Sequence, residues 1–126
     1  MPGVGVFVSA GGSPAGGSPS AFGIVSAETI TATLIELTFS STVYVNGSGG
    51  FQTKANGVQT NNEGDIGIDS GGDGTTNWVR IWTTNNVGSA GQTLSVSFDE
   101  NFFTEDAFAT IPYPAAVDFV ITNTIP

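Results

Sequence analysis

The acidic side chains are the first residues in this sequence whose types and spacing suggest chemistry. The chain has 11 Asp and Glu residues, and most of them fall into two groups. The first group lies in a glycine-rich stretch and comprises Glu63, Asp65, Asp69 and Asp73. The second surrounds several phenylalanines and comprises Asp99, Glu100, Glu105 and Asp106. Calcium prefers several oxygen ligands on a flexible loop, and paired carboxylates across a cleft hydrolyse glycosidic bonds, so these two chemistries must be weighed.

Neither acidic group satisfies the requirements of its chemistry. The spacing of the first group departs from the EF-hand pattern, and its alternation with apolar residues is typical of the solvated face of a strand. Nothing in the sequence builds a cleft around the second group. The chain has no His and no Cys, which removes the commonest general base, thiolate chemistry and ordinary zinc sites. The sequence therefore predicts a protein that is not an enzyme and that has no metal site and no cofactor.

Trp78, Arg80 and Trp82 form a third group of interest. Val79 and Ile81 alternate with them, so a strand that buries the valine and the isoleucine turns both indoles and the guanidinium outward. Trp and Arg are enriched where protein interfaces are energetically strong. We therefore predict that these three residues bind a partner.

Three alternatives for the tryptophans stay open at this point. In the first, the N-terminal arm or residues 101–114 fold back over the indoles and bury them. In the second, the strand is inverted, with the tryptophans inside. In the third, exposed aromatic rings stack on sugars. The residues that offer such rings are Trp78, Trp82, Tyr44 and Tyr113.

The elements that would position these residues are strands. Alternation of apolar and polar residues is clearest at Ile35, Leu37 and Phe39. Further strands are predicted at several places with the same alternation or with short runs of β-formers, around Ile24, Val43, Phe51, Ile66, Trp78, Leu94 and Val117. The pair Asn56-Gly57 predicts a tight hairpin, since both residues tolerate the positive φ of a type I′ turn.

The spacing of these strands predicts the fold class. Residues 99–116 are expected to be irregular, because Pro112 and Pro114 resist regular pairing. About seven to eight strands, frequent turns and no helical period are typical of an antiparallel Ig-like β-sandwich, an all-β fold. We assign residues 21–126 to this domain.

Residues 1–20 differ in composition from the rest of the chain. A linker of Gly, Ser, Pro and Ala without charge follows a short alternating run in which Val4, Val6 and Val8 share one parity. One interpretation is a flexible arm without a fixed structure. The other is an arm whose valines add a strand to the sheet edge of a neighbouring molecule. On the second interpretation, Val4, Val6 and Val8 are partner-binding residues.

The charge balance restricts the partners. The net charge is −9 and only Lys54 and Arg80 are basic, so we expect no binding to nucleic acid or to an anionic membrane surface. The N-terminus lacks the pattern of a signal peptide, and no stretch has the apolar length of a membrane span. If Met1 is the native start, a surface role is expected to arise by assembly onto a particle.

Several short motifs follow one another in a characteristic order: Leu37-Thr-Phe-Ser40, Phe51-Gln-Thr-Lys-Ala-Asn-Gly57, Trp78-Val-Arg-Ile-Trp82, Gly91-Gln-Thr-Leu-Ser-Val-Ser-Phe98 and Val120-Ile-Thr-Asn123. In this order they resemble the Ig-like repeats of bacterial surface proteins of the SwmB type. The resemblance implies a β-sandwich with a binding or spacer role and does not imply catalysis. This chain departs from the pattern in its glycine-rich arm, its single repeat and its aromatic insertion at 101–114.

A single Ig-like domain without a signal peptide also resembles the small Ig-like domains of phage capsids and tails. We therefore expect a virion protein that decorates or cements the capsid exterior in many copies, as a homo-oligomer or bound to the major capsid protein or another virion protein. The alternative is an Ig-like adhesin or glycan-binding module on a bacterial cell surface.

Overall fold

The computed structural model describes residues 22–47 and 49–126 of the chain. The described residues form ten strands and a 3-10 helix at Glu63–Asp65. The strands are β1 (Ile24–Thr31), β2 (Leu34–Phe39), β3 (Tyr44–Val45), β4 (Gln52–Ala55), β5 (Val58–Asn62), β6 (Ile66–Gly71), β7 (Trp78–Thr83), β8 (Leu94–Phe98), β9 (Phe103–Thr104) and β10 (Ala116–Ile121). Residues 1–20, with the predicted strand at Val4, Val6 and Val8, lie outside the described residues.

Eight of these strands form two four-stranded sheets. One sheet has the order β1-β2-β7-β6 and the other β10-β8-β4-β5, while β3 and β9 make a small two-stranded sheet. All pairings between strands are antiparallel. The order is that of the Ig fold, with strands A, B, E and D facing strands G, F, C and C′. The predicted all-β, Ig-like sandwich is confirmed.

Alternation in the sequence decides which side chains enter the core. In β2, Ile35, Leu37 and Phe39 are buried while the residues between them are half-buried, and in β7 both Val79 and Ile81 are fully buried. In β8, Leu94, Val96 and Phe98 point inward in the same way. Since successive side chains of a strand face opposite sides, each of these strands packs one row of apolar groups between the sheets.

The hairpin between β4 and β5 follows the turn signal in the sequence. Asn56 and Gly57 have φ angles of 50° and 82°, the left-handed values that a type I′ turn requires at both positions. The Asn56 carboxamide oxygen accepts a hydrogen bond from the amide of Thr93 at 2.9 Å, which ties the turn to the start of β8.

The segment 101–114 contributes more to the core than the sequence predicts. It is largely irregular, as expected, but Phe102, Phe103 and Tyr113 are buried. Phe103 packs against the rings of Phe39 and Phe98 at centroid distances of 5.0 and 4.8 Å. The Tyr113 hydroxyl donates to the carbonyl of Thr42 at 2.7 Å, which satisfies the one polar atom of this buried ring. The segment therefore fills one end of the sandwich.

The strand β10 departs from simple alternation. Asp118 has a φ of 51°, and the pairing with β8 is irregular between Ala116 and Phe119. As a consequence Val117 is 82% exposed and Val120 is 64% exposed, while Ile121 is buried. The predicted strand is present, but its valines face solvent.

The first and last strands meet at one side of the sandwich. The amide of Thr29 donates to the carbonyl of Thr122 at 3.0 Å, and the amide of Thr122 donates to the carbonyl of Ala27 at 2.8 Å. This short parallel bridge joins the two sheets at the C-terminal end of β10. Within the described residues, no helix has the length and apolar character needed to cross a membrane.

Candidate partner-binding face

Trp78, Arg80 and Trp82 lie together on the outer surface of the first sheet, and we call them the tryptophan face. Their strand β7 is an inner strand, paired with β2 on one side and β6 on the other. Because Val79 and Ile81 are fully buried, the predicted outward orientation is confirmed. The alternative with an inverted strand is wrong.

Arg80 is held at the centre of the tryptophan face by two neighbours. Its Nε donates to Glu36 Oε2 at 3.0 Å, and its Cζ lies 5.7 Å from the centroid of the Trp78 ring. Glu36 is the residue directly opposite Arg80 on β2, and Glu28 is opposite Glu36 on β1. The row Glu28–Glu36–Arg80 therefore places a second carboxylate beside the face.

Two glycines of β6 make room for the indoles. Gly67 lies directly opposite Trp82, and a Cβ added there would collide with the indole. A Cβ added at Gly71 would lie 2.8 Å from the Trp78 ring. The rings therefore cover backbone, which only glycine allows at such a close approach. Neither glycine is among the site residues predicted from the sequence, although a glycine within a strand is a signal of close approach.

The segment 101–114 does not cover the tryptophans. Its aromatic residues Phe102 and Phe103 enter the core, and Phe102 packs against Phe51, which directly precedes β4, at a ring-centroid distance of 5.3 Å. Trp82 is 45% exposed and Trp78 is half-buried against β6. The alternative in which the N-terminal arm covers the indoles involves residues that lie outside the described part of the chain, so it stays open. The partner-binding role of the face stays a prediction.

The outer surface of the second sheet has a different character. Its outward side chains on β4 and β8 are polar, and we call them the serine face: Gln52, Lys54, Ser95 and Ser97, of which Ser97 is covered by its neighbours. Lys54 Nζ donates to Asp118 Oδ1 at 3.0 Å. The two inner strands of this sheet therefore present polar side chains outward, and the exposed Val120 of β10 lies beside them, opposite Ser95.

The first acidic group serves local structure. Asn62 and Asp65 form a capping box around the 3-10 helix, and Glu63 accepts a hydrogen bond from the amide of Gly50 at 2.7 Å. The hydroxyl and the amide of Thr75 donate hydrogen bonds to the Asp73 carboxylate. These bonds lower the pKa of Asp73, and the bond from the hydroxyl has the larger effect. Within residues 22–47 and 49–126, no group of three or more acidic side chains is placed to hold a metal ion.

Asp106 of the second acidic group also has structural partners. Asp106 accepts hydrogen bonds from the hydroxyl and the amide of Thr110 at 2.7 and 3.0 Å, and the hydroxyl bond is the main cause of its lowered pKa. Tyr113, one of the rings considered for sugar stacking, is fully buried, and burial raises its pKa. The inclusion of Tyr113 among exposed sugar-stacking rings is therefore wrong.

No family model matches this chain, and neither a curated protein nor a solved structure matches it. The resemblance to the SwmB-type repeats accordingly stays a prediction from the motifs.

Proposed function

We propose that this protein is a non-catalytic structural component of a phage particle. It decorates or cements the capsid exterior in many copies by binding the major capsid protein or another virion protein. The observation that carries the proposal is the tryptophan face, which presents two indoles and a guanidinium on one inner strand of a four-stranded sheet.

The geometry of the face favours binding at low entropic cost. The indoles rest on Gly67 and Gly71, and Arg80 is held by Glu36. Side chains that are already ordered lose less conformational freedom when a partner covers them. The exposed part of Trp82 then supplies the large apolar contact that is typical of an interface hot spot.

The charge distribution indicates the kind of partner surface. The chain has a net charge of −9, and the exposed Glu28 borders the tryptophan face. Electrostatic complementarity therefore favours a neutral or basic partner patch with apolar pockets for the indoles. A capsid surface formed by many identical subunits would present such a patch in many copies.

Co-sedimentation tests the proposal directly. Purified phage particles from the organism that encodes this chain should contain the protein by mass spectrometry, and purified protein should sediment with particles that lack it. If neither is observed, the virion proposal fails.

Tryptophan fluorescence tests the face itself. In dilute protein, the exposed fraction of Trp82 should give red-shifted emission that iodide quenches, and binding should shift it to the blue. A blue, protected spectrum in the free monomer would mean that another part of the chain, such as the arm, covers the face.

The second candidate is a glycan-binding adhesin domain at a bacterial surface, and the exposed indole of Trp82 is the observation that favours it. However, Trp78 and Trp82 are four residues apart along an extended strand, which separates them by about 13 Å. Two rings at that spacing suit separate pockets of a protein partner better than a single sugar ring. Binding to a glycan array, together with tandem repeats and a signal peptide in the native gene, would favour the adhesin.

A further inference from the structure

The side of the sandwich where β1 and β10 begin carries an apolar groove. The groove has a volume of about 310 Å³ and is lined by Phe22, Gly23, Ile24, Pro114, Ala115, Ala116, Val117 and Phe119. We call this groove the seam. Of its lining residues, Phe22 and Val117 are 41% and 82% exposed. An apolar group of this kind on a surface is typical of a contact site.

The backbone at the seam is also open to pairing. The strands β1 and β10 are edge strands of their sheets. Among the described residues, they bridge each other only near Thr122, where Ala27 and Thr29 bond to it. Nearer the start of β10, this strand pairs with β8 along one edge, and no strand of the described residues pairs with its other edge. An edge of this kind accepts another extended segment through main-chain hydrogen bonds.

We propose that the seam binds the chain's own residues 4–8. In this segment Val4, Val6 and Val8 share one parity, as a strand with one apolar face requires, and residues 1–20 include no charged side chain. The segment is therefore suited to an apolar groove, and it brings no charge into it.

The point of attachment favours the chain's own segment over that of a neighbour. The groove begins at Phe22, and roughly a dozen linker residues rich in Gly and Ser have a root-mean-square span of about 20 Å. A tether of this length gives an effective concentration on the order of millimolar. In dilute protein, the attached segment therefore outcompetes the segment of another molecule.

This inference goes beyond the proposed function, because it concerns the free protein. It has one consequence for assembly: the valines must leave their own seam before they add a strand to a neighbour. Such an exchange of an identical segment between molecules is a low-cost route to association.

Disulfide trapping tests the inference, and the chain is convenient for it because it contains no cysteine. The double variant Val6→Cys/Val117→Cys places one thiol in the segment and one in the seam. The control Val6→Cys/Val58→Cys uses a valine that is 68% exposed on β5, the opposite edge of the same sheet. Since a disulfide requires Cα atoms within about 7 Å, the rate of its formation reports proximity.

At low micromolar concentration, the seam pair should form an intrachain disulfide at least about ten times faster than the control pair. Mass spectrometry and non-reducing gels distinguish the products. Equal rates for the two pairs would overturn the seam as the binding site. Cross-linked dimers whose share rises with concentration would assign the seam to the segment of a second molecule and overturn the intrachain assignment.

Hydrogen exchange supplies a second test without cysteines. Deleting residues 1–20 should speed amide exchange in β10 by at least about tenfold, while the inner strand β7 exchanges as before. Unchanged β10 exchange would overturn the proposal, and an unchanged β7 shows that the domain remains folded. Both tests use free protein with an intact tryptophan face. They can therefore fail while the proposed function holds, and they can succeed while the proposed function fails.

Discussion

The two outer faces of the sandwich each hold one of the chain's two basic side chains, and in both cases a carboxylate oxygen lies 3.0 Å from the nitrogen. Arg80 is paired with Glu36 on the tryptophan face, and Lys54 is paired with Asp118 beside the serine face. The surroundings of the two pairs differ. Indoles flank the guanidinium, whereas Ser95 is opposite Lys54 on β8 and Ser97 shares the Asp118 carboxylate with the ammonium group.

This comparison separates charge from aromatic surface. If a charged pair on a sheet were enough to bind a partner, both faces would bind equally well. Exposed ion pairs contribute little, whereas buried aromatic area dominates interface energies. The comparison therefore predicts that partner binding depends on the tryptophan face and is insensitive to the serine face.

The largest effect is expected when both indoles are removed. Trp78→Ser/Trp82→Ser should weaken binding to the particle by at least about 2 kcal/mol, the scale of a hot-spot truncation. The fold should stay close to its original stability, because Val79 and Ile81 carry the core contacts of β7. Co-sedimentation at graded concentrations measures the affinity, and thermal melting measures the stability.

The matched control for the indoles is Gln52→Ser/Ser95→Ala on the serine face. It should leave the affinity unchanged. Equal losses for the two double variants would contradict the distinction between the faces, and a large loss of stability in the tryptophan variant would mean that the indoles are part of the core.

A smaller effect is expected from filling the space beneath Trp82. Gly67→Ala introduces a methyl group where the indole now lies, and overpacking of this kind costs about 1–3 kcal/mol when neighbours cannot move freely. Because Trp82 is partly exposed, we expect the ring to swing outward and the stability loss to fall near the lower end. Chemical denaturation and iodide quenching of the indole measure the two effects.

The control for Gly67→Ala is Ser95→Ala, a small change on the serine face where no indole is displaced. It should alter neither quenching nor the free energy of unfolding appreciably. If Gly67→Ala leaves the quenching unchanged, the glycine does not position the ring.

The two ion pairs should contribute similarly to the stability of the fold but differently to partner binding. Arg80→Gln and Lys54→Gln should each lower the free energy of unfolding by no more than about 1 kcal/mol, since both pairs are partly exposed. Only Arg80→Gln should also reduce the affinity for the particle, because Arg80 lies between the indoles. An equal loss of affinity for Lys54→Gln would show that binding follows general charge.

The smallest effect concerns the loop that leads into β7 and the tryptophan face. Hydrogen bonds from Thr75 lower the pKa of Asp73 below 3.8 in the folded protein. The Asp73 carboxylate therefore binds a proton more readily in the unfolded chain, where its pKa has the ordinary value of 3.8, than in the folded protein. The stability that the ionised carboxylate contributes is present at neutral pH. It is lost as the pH falls through 3.8 and then through the lowered pKa of the folded state. Asp73→Asn should melt below the unsubstituted protein at pH 7, and this difference should shrink towards pH 3. A difference that stays constant with pH would contradict the assigned cause.

Much of the sandwich follows from the sequence, because alternation depends only on neighbouring residues. The core positions of β2 and β8 were predictable from period two, and so was the outward direction of Trp78 and Trp82 once Val79 and Ile81 were placed inside. The turn at Asn56-Gly57 was predictable for the same reason, since its signal is contained in two residues. The sequence allowed only a candidate for the partner that binds the tryptophan face.

Only the tertiary structure decided features that depend on segments far apart in the chain. The burial of Phe103 and Tyr113 requires the 101–114 segment to reach Phe39, and proline-rich irregular sequence contains no periodic signal of such a contact. Likewise, Gly67 acquires a role only because β6 pairs with β7 and places it opposite Trp82. Sequence patterning determines which way a side chain faces along its own strand, and the packing of distant strands determines what it meets there.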